Sequence, residues 1–281
     1  MAFGGTSQGD KMAVSVAAQI AVRPTGAALG ADIEGMDFGR LSAEDMRVVR
    51  QALLEHRVIR VRGATIDDVA FTRFAEAPYV TIVSNVTENG QPIGDQGDGE
   101  LNWHTDLGFT EIPTQFTFLI AREIPAAGGE TSFADMYAAH DAMPDALRAR
   151  VAKLGLKHQR SHDSVGRKRP GYRDIETDDP RELPGPVHPI LRTHPETGRK
   201  ALYLGRRFGG YIPGLKLAAS EALLDELWSY AARPEHVWTQ RWQVGDLVVW
   251  DNRCTMHRRE SFAGQGRRRL HRLQTRGERP Q

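Results

Sequence analysis

Apolar residues recur at helical spacing in four stretches of the chain, and each stretch has a start or stop signal. The first predicted helix begins after Ser42, because serine is a preferred N-cap and the acidic residues that follow suit the positive end of the helix dipole. A second helix is predicted at 65–75, where a capping box opens at Thr65. A third covers 135–154 and is interrupted at Pro144. The fourth covers 220–232, with Ser220 as the cap and Pro234 beyond its end.

Most of the remaining apolar residues alternate with polar ones or form short β-rich runs. These runs predict strands at 17–22, 58–62, 80–85, 115–121, 200–204, 237–242, 247–250 and 267–275, with tight turns at 194–198 and 243–246. The strands do not alternate regularly with the helices, which disfavours a doubly wound sheet or a TIM barrel. The pattern predicts a mainly β, α+β fold in which an antiparallel barrel or jelly-roll core is flanked by helices.

Composition narrows the class of protein. In 281 residues, 40% are hydrophobic and no repeats occur, so we expect one domain over 16–281 after a flexible stretch at 1–15. The polar stretch at 160–186 is long for a loop and predicts a lid, with a solvated or disordered loop as the alternative. A net charge of +1 argues against a polyanion-binding protein, and a single cysteine, Cys254, fits the reducing cytoplasm. No apolar run is long enough to span a membrane, and the first dozen residues lack a secretory signal.

Candidate metal ligands occur in the segment Asn-Trp-His-Thr-Asp that ends at Asp106. Residues two apart in an extended segment face the same side, so His104 and Asp106 can point into one cavity, and His257 is a candidate third ligand. Two imidazoles and one carboxylate form the metal site of non-haem Fe(II) oxygenases, although zinc accepts the same set. The His-x-acid pair is weak evidence alone, because His194 and Glu196 form a second such pair inside a predicted turn.

Two arginines near the C-terminus are candidate anion ligands. Strand parity places Arg268 and Arg272 on one face together with Leu270. Guanidinium groups that face a β core are costly unless each meets an anion, and arginine is suited to gripping a carboxylate; a solvated basic edge strand is the alternative. A glycine pair leads to Thr131, whose hydroxyl group could form a hydrogen bond with a small anion.

Together these motifs resemble the taurine/2,4-dichlorophenoxyacetate dioxygenase family, over roughly residues 20 to 277. Their order and spacing match as well, since Thr131 lies 27 residues after His104 and the two arginines lie 11 and 15 residues after His257. The segments that carry the resemblance are Asn-Trp-His-Thr-Asp at 102–106, Gly-Gly-Glu-Thr at 128–131, Trp-Asp-Asn-Arg at 250–253, His257, and Arg-x-x-x-Arg at 268–272.

The resemblance implies a double-stranded β-helix, a jelly-roll variant, and an enzyme that uses Fe(II), 2-oxoglutarate and O2. The expected products are succinate, CO2 and a hydroxylated small organic anion, which is a carboxylate, sulfonate or sulfate. Where the hydroxylated carbon also carries oxygen, sulfur or nitrogen, cleavage of that C–O, C–S or C–N bond is expected to follow. Family members commonly form homo-oligomers. The implied roles are iron binding by His104, Asp106 and His257, 2-oxoglutarate binding by Arg268 with Thr131, and substrate binding by Arg272.

The sequence departs from the family pattern at 75–79, where the connection that usually covers the substrate is very short. This protein has either a trimmed lid or a missing segment there. Glu100 stands where some members have an amide.

Two other functions use the same residues differently. A zinc hydrolase or metal-binding jelly-roll protein would need the three ligands but not Arg268 or Thr131. A nucleic-acid binder would use the eight arginines at 258–279, but Phe262 is the only aromatic residue there. We therefore expect a small-molecule enzyme.

Overall fold

The computed structural model describes residues 20–163 and 166–281. The flexible stretch expected at 1–15 and the first part of the strand expected at 17–22 lie outside these residues, and the first described strand begins at Ala21.

The helices pack on the outside of a sheet core. They are α1 (Ala43–His56), α2 (Asp68–Ala75), α3 (Met136–Asp141), α4 (Asp145–Val151) and α5 (Leu217–Ala231), with a 3-10 turn at Pro234–His236. Pro144 divides α3 from α4 as predicted, because a proline has no N–H for the helix interior and is tolerated only at its start. Of the helices in the described ranges, none is long and apolar enough to cross a bilayer.

The strands include every one predicted within the described residues. They are β1 (Ala21–Pro24), β2 (Ala31–Glu34), β3 (Val58–Val61), β4 (Thr81–Ser84), β5 (Thr87–Glu88), β6 (Gln91–Pro92), β7 (Asp95–Gln96), β8 (Leu101–His104), β9 (Thr114–Glu123), β10 (Thr131–Asp135), β11 (Gly155–Lys157), β12 (Val187–Pro189), β13 (Leu191–Thr193), β14 (Lys200–Leu202), β15 (Val237–Gln240), β16 (Leu247–Asp251), β17 (Thr255–Arg259) and β18 (Arg269–Arg276).

Within 20–163 and 166–281 the strands form two principal sheets. The large sheet has the order β1-β2-β3-β16-β9-β18-β4-β7, and the small sheet has the order β15-β10-β17-β8. Both are mainly antiparallel, with parallel pairing of β2 with β3 and of β4 with β7. The predicted turn at 243–246 carries the chain from β15 in the small sheet to β16 in the large one. The fold is a sheet-rich α+β fold with mixed sheets.

Three apolar clusters hold these layers together. The first lies between the sheets, where Phe133 of the small sheet packs against Trp250 of the large one with ring centroids 5.2 Å apart. The second covers the outer face of the large sheet with α1 and α2, and the third joins the small sheet to α3, α4 and α5. Burial of these faces is the main favourable term in folding.

Two predicted helix caps are wrong in detail. The N-cap of α2 is Asp67 and not Thr65, because the Asp67 carboxylate accepts the N–H of Ala70 at 2.7 Å. Helix α5 begins three residues before Ser220, and the Ser220 hydroxyl instead accepts the N–H of Ile212 at 3.0 Å. A serine hydroxyl can accept a hydrogen bond from the backbone of a neighbouring loop as well as from the first turn of a helix. Tertiary packing decides which of the two bonds forms.

The predicted cap of α1 is confirmed. Ser42 Oγ accepts the N–H of Asp45 at 3.1 Å, and the Asp45 carboxylate accepts the N–H of Ser42 at 2.8 Å, which makes a reciprocal capping box.

We expect Ser42→Ala to lower the free energy of unfolding by about 1 kcal/mol, because the first turn loses a hydrogen-bond acceptor. Urea unfolding followed by circular dichroism measures the change. The matched control is Ser229→Ala, since Ser229 is exposed within α5 and its hydroxyl donates to the Glu226 carbonyl of the same helix. Equal effects of the two variants would contradict the capping role.

Candidate functional site

The three predicted metal ligands meet in the crevice between the sheets. His104 is the last residue of β8 and pairs directly with His257 of β17, while Asp106 lies in the turn after β8. Asp106 Oδ1 is 3.9 Å from His104 Nε2 and 3.8 Å from His257 Nε2, and the three candidate ligand atoms lie within 4.8 Å of one another. All three side chains are buried.

Neighbouring groups fix the orientation of His104. Its Nδ1 lies 2.7 Å from the carbonyl oxygen of Asn102, so Nδ1 carries the proton and donates it there. The lone pair of Nε2 then faces Asp106. This is the arrangement in which backbone carbonyls orient metal-binding histidines.

A hydrogen-bonded chain fixes Asp106. The Thr117 hydroxyl donates to Asp106 Oδ2 at 2.7 Å and accepts from the Asn252 amide at 2.9 Å. Asn252 Oδ1 in turn accepts the N–H of Asp106 and the indole N–H of Trp250. The Trp-Asp-Asn motif therefore orients the carboxylate through Thr117, a residue that sequence reasoning missed because it lies in a different strand.

The protonation states suit a divalent metal ion. Burial and the neighbouring His257 hold the pKa of His104 at about 3, so its ring is neutral at pH 7. Burial acts to raise the pKa of Asp106, but its electrostatic interactions with His257, His104 and Arg272 and the hydrogen bond from Thr117 outweigh it and lower that pKa. Two neutral imidazoles and one carboxylate are donors that Fe(II) accepts, and donors about 2.1 Å from one ion can be about 3 to 4 Å apart. The residues fit such an ion.

Arg268 and Thr131 lie deeper in the same crevice. Arg268 is 1% exposed, and its Nε has no hydrogen-bond partner among the residues that the structure describes. The Thr131 hydroxyl accepts from the indole N–H of Trp242 at 3.0 Å, which leaves its own proton for another acceptor. Gly129 has φ of 72°, and a Cβ there would lie 3.2 Å from Arg268 Nε. The absence of a side chain at this position therefore leaves space for the guanidinium group.

A second buried arginine accompanies Arg268 and was not predicted. Arg259 is 3% exposed, pairs with Thr131 across the sheet, and lies with Arg268 in the lining of this crevice. Both guanidinium groups lie against Phe262, 5.1 and 5.5 Å from its ring centre. Burial and the charge of Arg259 lower the pKa of Arg268 to about 9. Strand parity with His257 was the signal that could have identified Arg259.

The crevice opens into a cavity of about 520 Å³, and Arg272 lies at the junction of the two. Arg272 is half-buried and donates from Nε to the Thr81 hydroxyl at 3.2 Å. The predicted lid contributes residues 167–170 and Arg173 to the cavity lining, together with Phe109 and Arg206.

Some residues considered from sequence do not reach the cavity. In the predicted lid, His162 is buried against Phe208 instead. Glu100 lies outside the cavity lining, 3.8 Å from Arg258. The connection at 75–79 is as short as the sequence indicates, because β4 starts soon after α2 ends at Ala75.

The second His-x-acid pair is structural. His194 Nε2 bonds the buried carboxylate of Asp251 at 3.0 Å, and Arg253 makes a bidentate contact with the same carboxylate. Asp251 and Cys254 lie close enough to His194 to resemble a metal site, but the hydrogen bonds already use their polar atoms. Cys254 and Trp250 are buried core residues, and Trp103 is half-buried against the third apolar cluster.

Known proteins are similar to this chain in sequence and in fold. The profile of the family described as "Taurine catabolism dioxygenase TauD, TfdA family" matches residues 21–274. The chain is 31% identical over 268 residues to the (S)-phenoxypropionate/alpha-ketoglutarate-dioxygenase of Delftia acidovorans, covering 86% of this chain and 89% of that protein. It is 33% identical over 257 residues to the alpha-ketoglutarate-dependent sulfate ester dioxygenase of Pseudomonas putida, covering 86% and 84%.

A solved structure agrees with the sequence comparison. The crystal structure of AAD-2 in complex with Mn(II) and N-oxalylglycine superposes with a TM-score of 0.78 at 29% identity, over 93% of this chain and 99% of that one.

Fold and site thus define a sheet-rich protein with a buried cluster of two histidines and one carboxylate that could hold a divalent metal ion. More specifically, the chain belongs to the TauD, TfdA family of dioxygenases. It is an oxidoreductase that depends on 2-oxoglutarate, Fe(II) and O2, as the resemblance predicted, and the zinc hydrolase alternative is wrong.

We expect Asp106→Ala to weaken Mn(II) or Fe(II) binding at least about tenfold, because the cluster loses its only charged donor. Anaerobic titration calorimetry measures the affinity. The matched control is Asp174→Ala, which removes an exposed carboxylate. Unchanged metal affinity in Asp106→Ala would reject the cluster as the metal site.

Proposed function

We propose that this chain hydroxylates a small organic anion, a carboxylate, sulfonate or sulfate ester, at a carbon held beside the three-residue cluster. In the balanced reaction, 2-oxoglutarate, O2 and a substrate C–H bond give succinate, CO2 and an alcohol, with one oxygen atom of O2 in succinate and the other in the alcohol. Where the hydroxylated carbon also bears oxygen, sulfur or nitrogen, the product would then break that bond.

One observation carries the proposal: the donor cluster and an incompletely bonded buried guanidinium share one crevice. Arg268, with its Nε unpartnered among the described residues, lines this crevice together with His104, Asp106 and His257. A buried cation of this kind is costly in isolation and calls for an anion. A metal site alone would not need a buried cation beside it. A keto-diacid that chelates the metal, in contrast, would bring its distal carboxylate to the guanidinium group.

The geometry of the cluster supports the proposed metal-binding roles. His104, Asp106 and His257 would hold Fe(II), which supplies the redox chemistry that couples O2 and 2-oxoglutarate to hydroxylation. The Asn102 carbonyl and the Thr117 hydroxyl would keep the imidazole and the carboxylate aimed at one point. An intact Asp106 favours hydroxylation over halogenation, because halogenation needs an open position at the carboxylate.

The anion-binding roles divide between two positions. Arg268 and the Thr131 hydroxyl would donate to the distal carboxylate of 2-oxoglutarate, and Arg259 would add a second positive charge there. Arg272 would bind the anionic group of the substrate, since it lies where the crevice meets the cavity. The apolar walls formed by Trp250 and Leu119 would exclude water from the reacting carbon.

The finer structural proposals are consistent with this function. We infer that the paired sheets are the double-stranded β-helix, or jelly roll, of one domain over 16–281, and that 160–186 is a lid over the cavity. We infer also a cytoplasmic enzyme, on the evidence of its single buried cysteine, and one that forms a homo-oligomer and acts on small molecules rather than on nucleic acid.

The proposal is tested by a screen of the Fe(II)-loaded protein for succinate release. Aryloxyalkanoates, alkyl sulfonates and alkyl sulfates, each supplied with 2-oxoglutarate and O2, form the panel. Succinate formed in step with O2 consumption, and above the rate without substrate, supports the proposal. Absence of stimulation by every anion, from protein shown to bind metal and 2-oxoglutarate, would overturn the assigned substrate class.

We expect Arg268→Ala to raise the Michaelis constant for 2-oxoglutarate about ten- to hundredfold, the range that the loss of a charged hydrogen bond corresponds to. Initial rates of succinate formation measure it. The matched control is Arg267→Ala, which removes the neighbouring outward-facing arginine and its ion pair with Glu123. An unchanged constant in Arg268→Ala would remove Arg268 from its role.

We expect Arg259→Gln to weaken 2-oxoglutarate binding about tenfold, because one of two charges near the distal carboxylate is lost. Calorimetric titration of the Mn(II)-loaded protein measures this without turnover. The control ligand is 2-oxopentanoate, which lacks the distal carboxylate and should bind both proteins equally. A loss that is equal for the two keto acids would show that Arg259 only supports the fold, through its bond to the Gly99 carbonyl.

A further inference from the structure

Gln274 is a polar residue of the cavity to which the proposed function gives no role. It lies on β18 two residues after Arg272, so both side chains leave the strand on the same face. Both residues line the cavity of about 520 Å³, together with Asp106. The lining of the deeper crevice contains Arg268 but not Gln274. Gln274 therefore lies where the substrate is proposed to bind, and not where 2-oxoglutarate is.

The register of the large sheet holds the Gln274 amide close to Asp106. Gln274 pairs directly with Thr117 of β9, and directly paired side chains of an antiparallel ladder are neighbours on one face. Gln274 Nε2 donates to the Thr117 hydroxyl at 3.4 Å, and that hydroxyl donates to Asp106 Oδ2 at 2.7 Å. One hydroxyl group thus separates the amide from a proposed metal ligand.

The hydrogen bonds of Thr117 determine which end of the Gln274 amide faces it. The ionised Asp106 carboxylate can only accept, so the single hydroxyl proton of Thr117 is donated there. The lone pairs of the same hydroxyl accept N–H groups from Asn252 and from Gln274. The amide nitrogen of Gln274 is therefore turned toward Thr117, and the carbonyl oxygen Oε1 lies at the other end of the amide group.

Oε1 is left as a hydrogen-bond acceptor for the cavity. Thr117 is fully buried and lies outside the cavity lining, whereas Gln274 is half-buried and belongs to it. The end of the amide that points away from Thr117 is therefore the accessible end. In the described part of the chain, the bond to Thr117 is the one hydrogen bond of the Gln274 side chain. A carbonyl oxygen accepts up to two hydrogen bonds, which a bound ligand can donate.

The neighbouring charges favour a neutral donor. Arg272 and Gln274 are two residues apart in an extended strand, which places their Cα atoms roughly 7 Å from each other. An ammonium group bound at Gln274 would be repelled by the Arg272 guanidinium and by a metal ion at Asp106, whereas a hydroxyl or an amide N–H would not. The donor that fits is thus uncharged and lies a few bonds from the anionic group that Arg272 is proposed to bind.

We propose that Gln274 is a specificity-determining residue, whose Oε1 accepts a hydrogen bond from a hydroxyl or amide N–H group of the substrate close to the carbon that is hydroxylated. The substrate is then a small organic anion that also carries a neutral donor, such as a hydroxyalkyl sulfonate, a hydroxy acid or an N-acylamino acid. The inference rests on the proposed function and adds this second recognition group. An anion without the donor binds less well, because it covers Oε1 and leaves it without a partner.

Matched pairs of anions that differ in one group test this proposal. The pairs are 2-hydroxyethanesulfonate against propane-1-sulfonate, 4-hydroxybutanoate against pentanoate, and N-acetylglycine against 4-oxopentanoate. Each pair exchanges a donor for a methyl or methylene group of similar size. Calorimetry measures their binding to the Mn(II)-loaded protein, saturated with N-oxalylglycine so that the co-substrate site is filled. We expect the donor to raise the affinity about three- to tenfold in at least one pair, the range that one neutral hydrogen bond gives.

Variants of Gln274 show whether Oε1 causes this preference. Gln274→Leu should abolish it by weakening the binding of the donor-bearing anion, with the affinity for its donor-free partner unchanged. Gln274→Glu keeps an acceptor, so the preference should persist although both anions bind more weakly beside the added negative charge. The matched control is Gln91→Leu, since Gln91 is exposed on β6 and lies outside the cavity lining. Gln91→Leu should change neither affinity.

The failures of the two proposals have different signatures. Absence of a preference for the donor in every pair would overturn the role of Gln274. An equal loss of both affinities in Gln274→Leu would also overturn it, because the amide would then act only through Thr117 on Asp106. Either result is compatible with succinate release stimulated by the anions, which leaves the proposed function intact. Failure of the proposed function is recognised by anions that bind, with or without the preference, and never stimulate 2-oxoglutarate turnover. Absence of binding by every anion would overturn both.

Discussion

The pairing of β8 with β17 is the constraint on which the site depends. It sets His104 opposite His257, and the turn after β8 returns Asp106 to the same point. Side chains alternate along a strand, so a slip of one residue in this ladder would turn one imidazole out of the crevice. The apolar contact between the two sheets, with Phe133 against Trp250, stabilises the register because it buries the same face that carries the ligands.

Buried charge gives the site its second organising feature. The Asp106 carboxylate is already oriented by the Thr117 hydroxyl, whereas Arg268 retains an unpartnered Nε in the described part of the chain. In a low dielectric such a group favours an anion over water, which is the physical basis for proposing that Arg268 binds the co-substrate. Farther out, Arg272 presents its charge where the crevice meets the cavity.

Local patterns predicted much of this structure, and the errors share one cause. The capping box at Ser42 involves only neighbours in sequence and was predicted correctly, whereas Ser220 was assigned a cap and instead bonds the backbone of Ile212. Alternation did not mark β10 and β17, because both strands are almost entirely buried and their sequences, Thr-Ser-Phe-Ala-Asp and Thr-Met-His-Arg-Arg, have no regular alternation of polar and apolar residues. A pattern reports local preference, and packing overrides it.

The sequence by itself determined the family, the identity of the three candidate ligands and the inward face of β18, because spacing and strand parity are properties of the chain. Only the tertiary structure showed that Thr117 and Asn252 orient Asp106, that Arg259 accompanies Arg268, and that Arg169 and Arg206 share one carbonyl. Each of these contacts joins residues from separate elements. Their proximity is a consequence of how the sheets and the lid pack, and no periodicity along the chain encodes it.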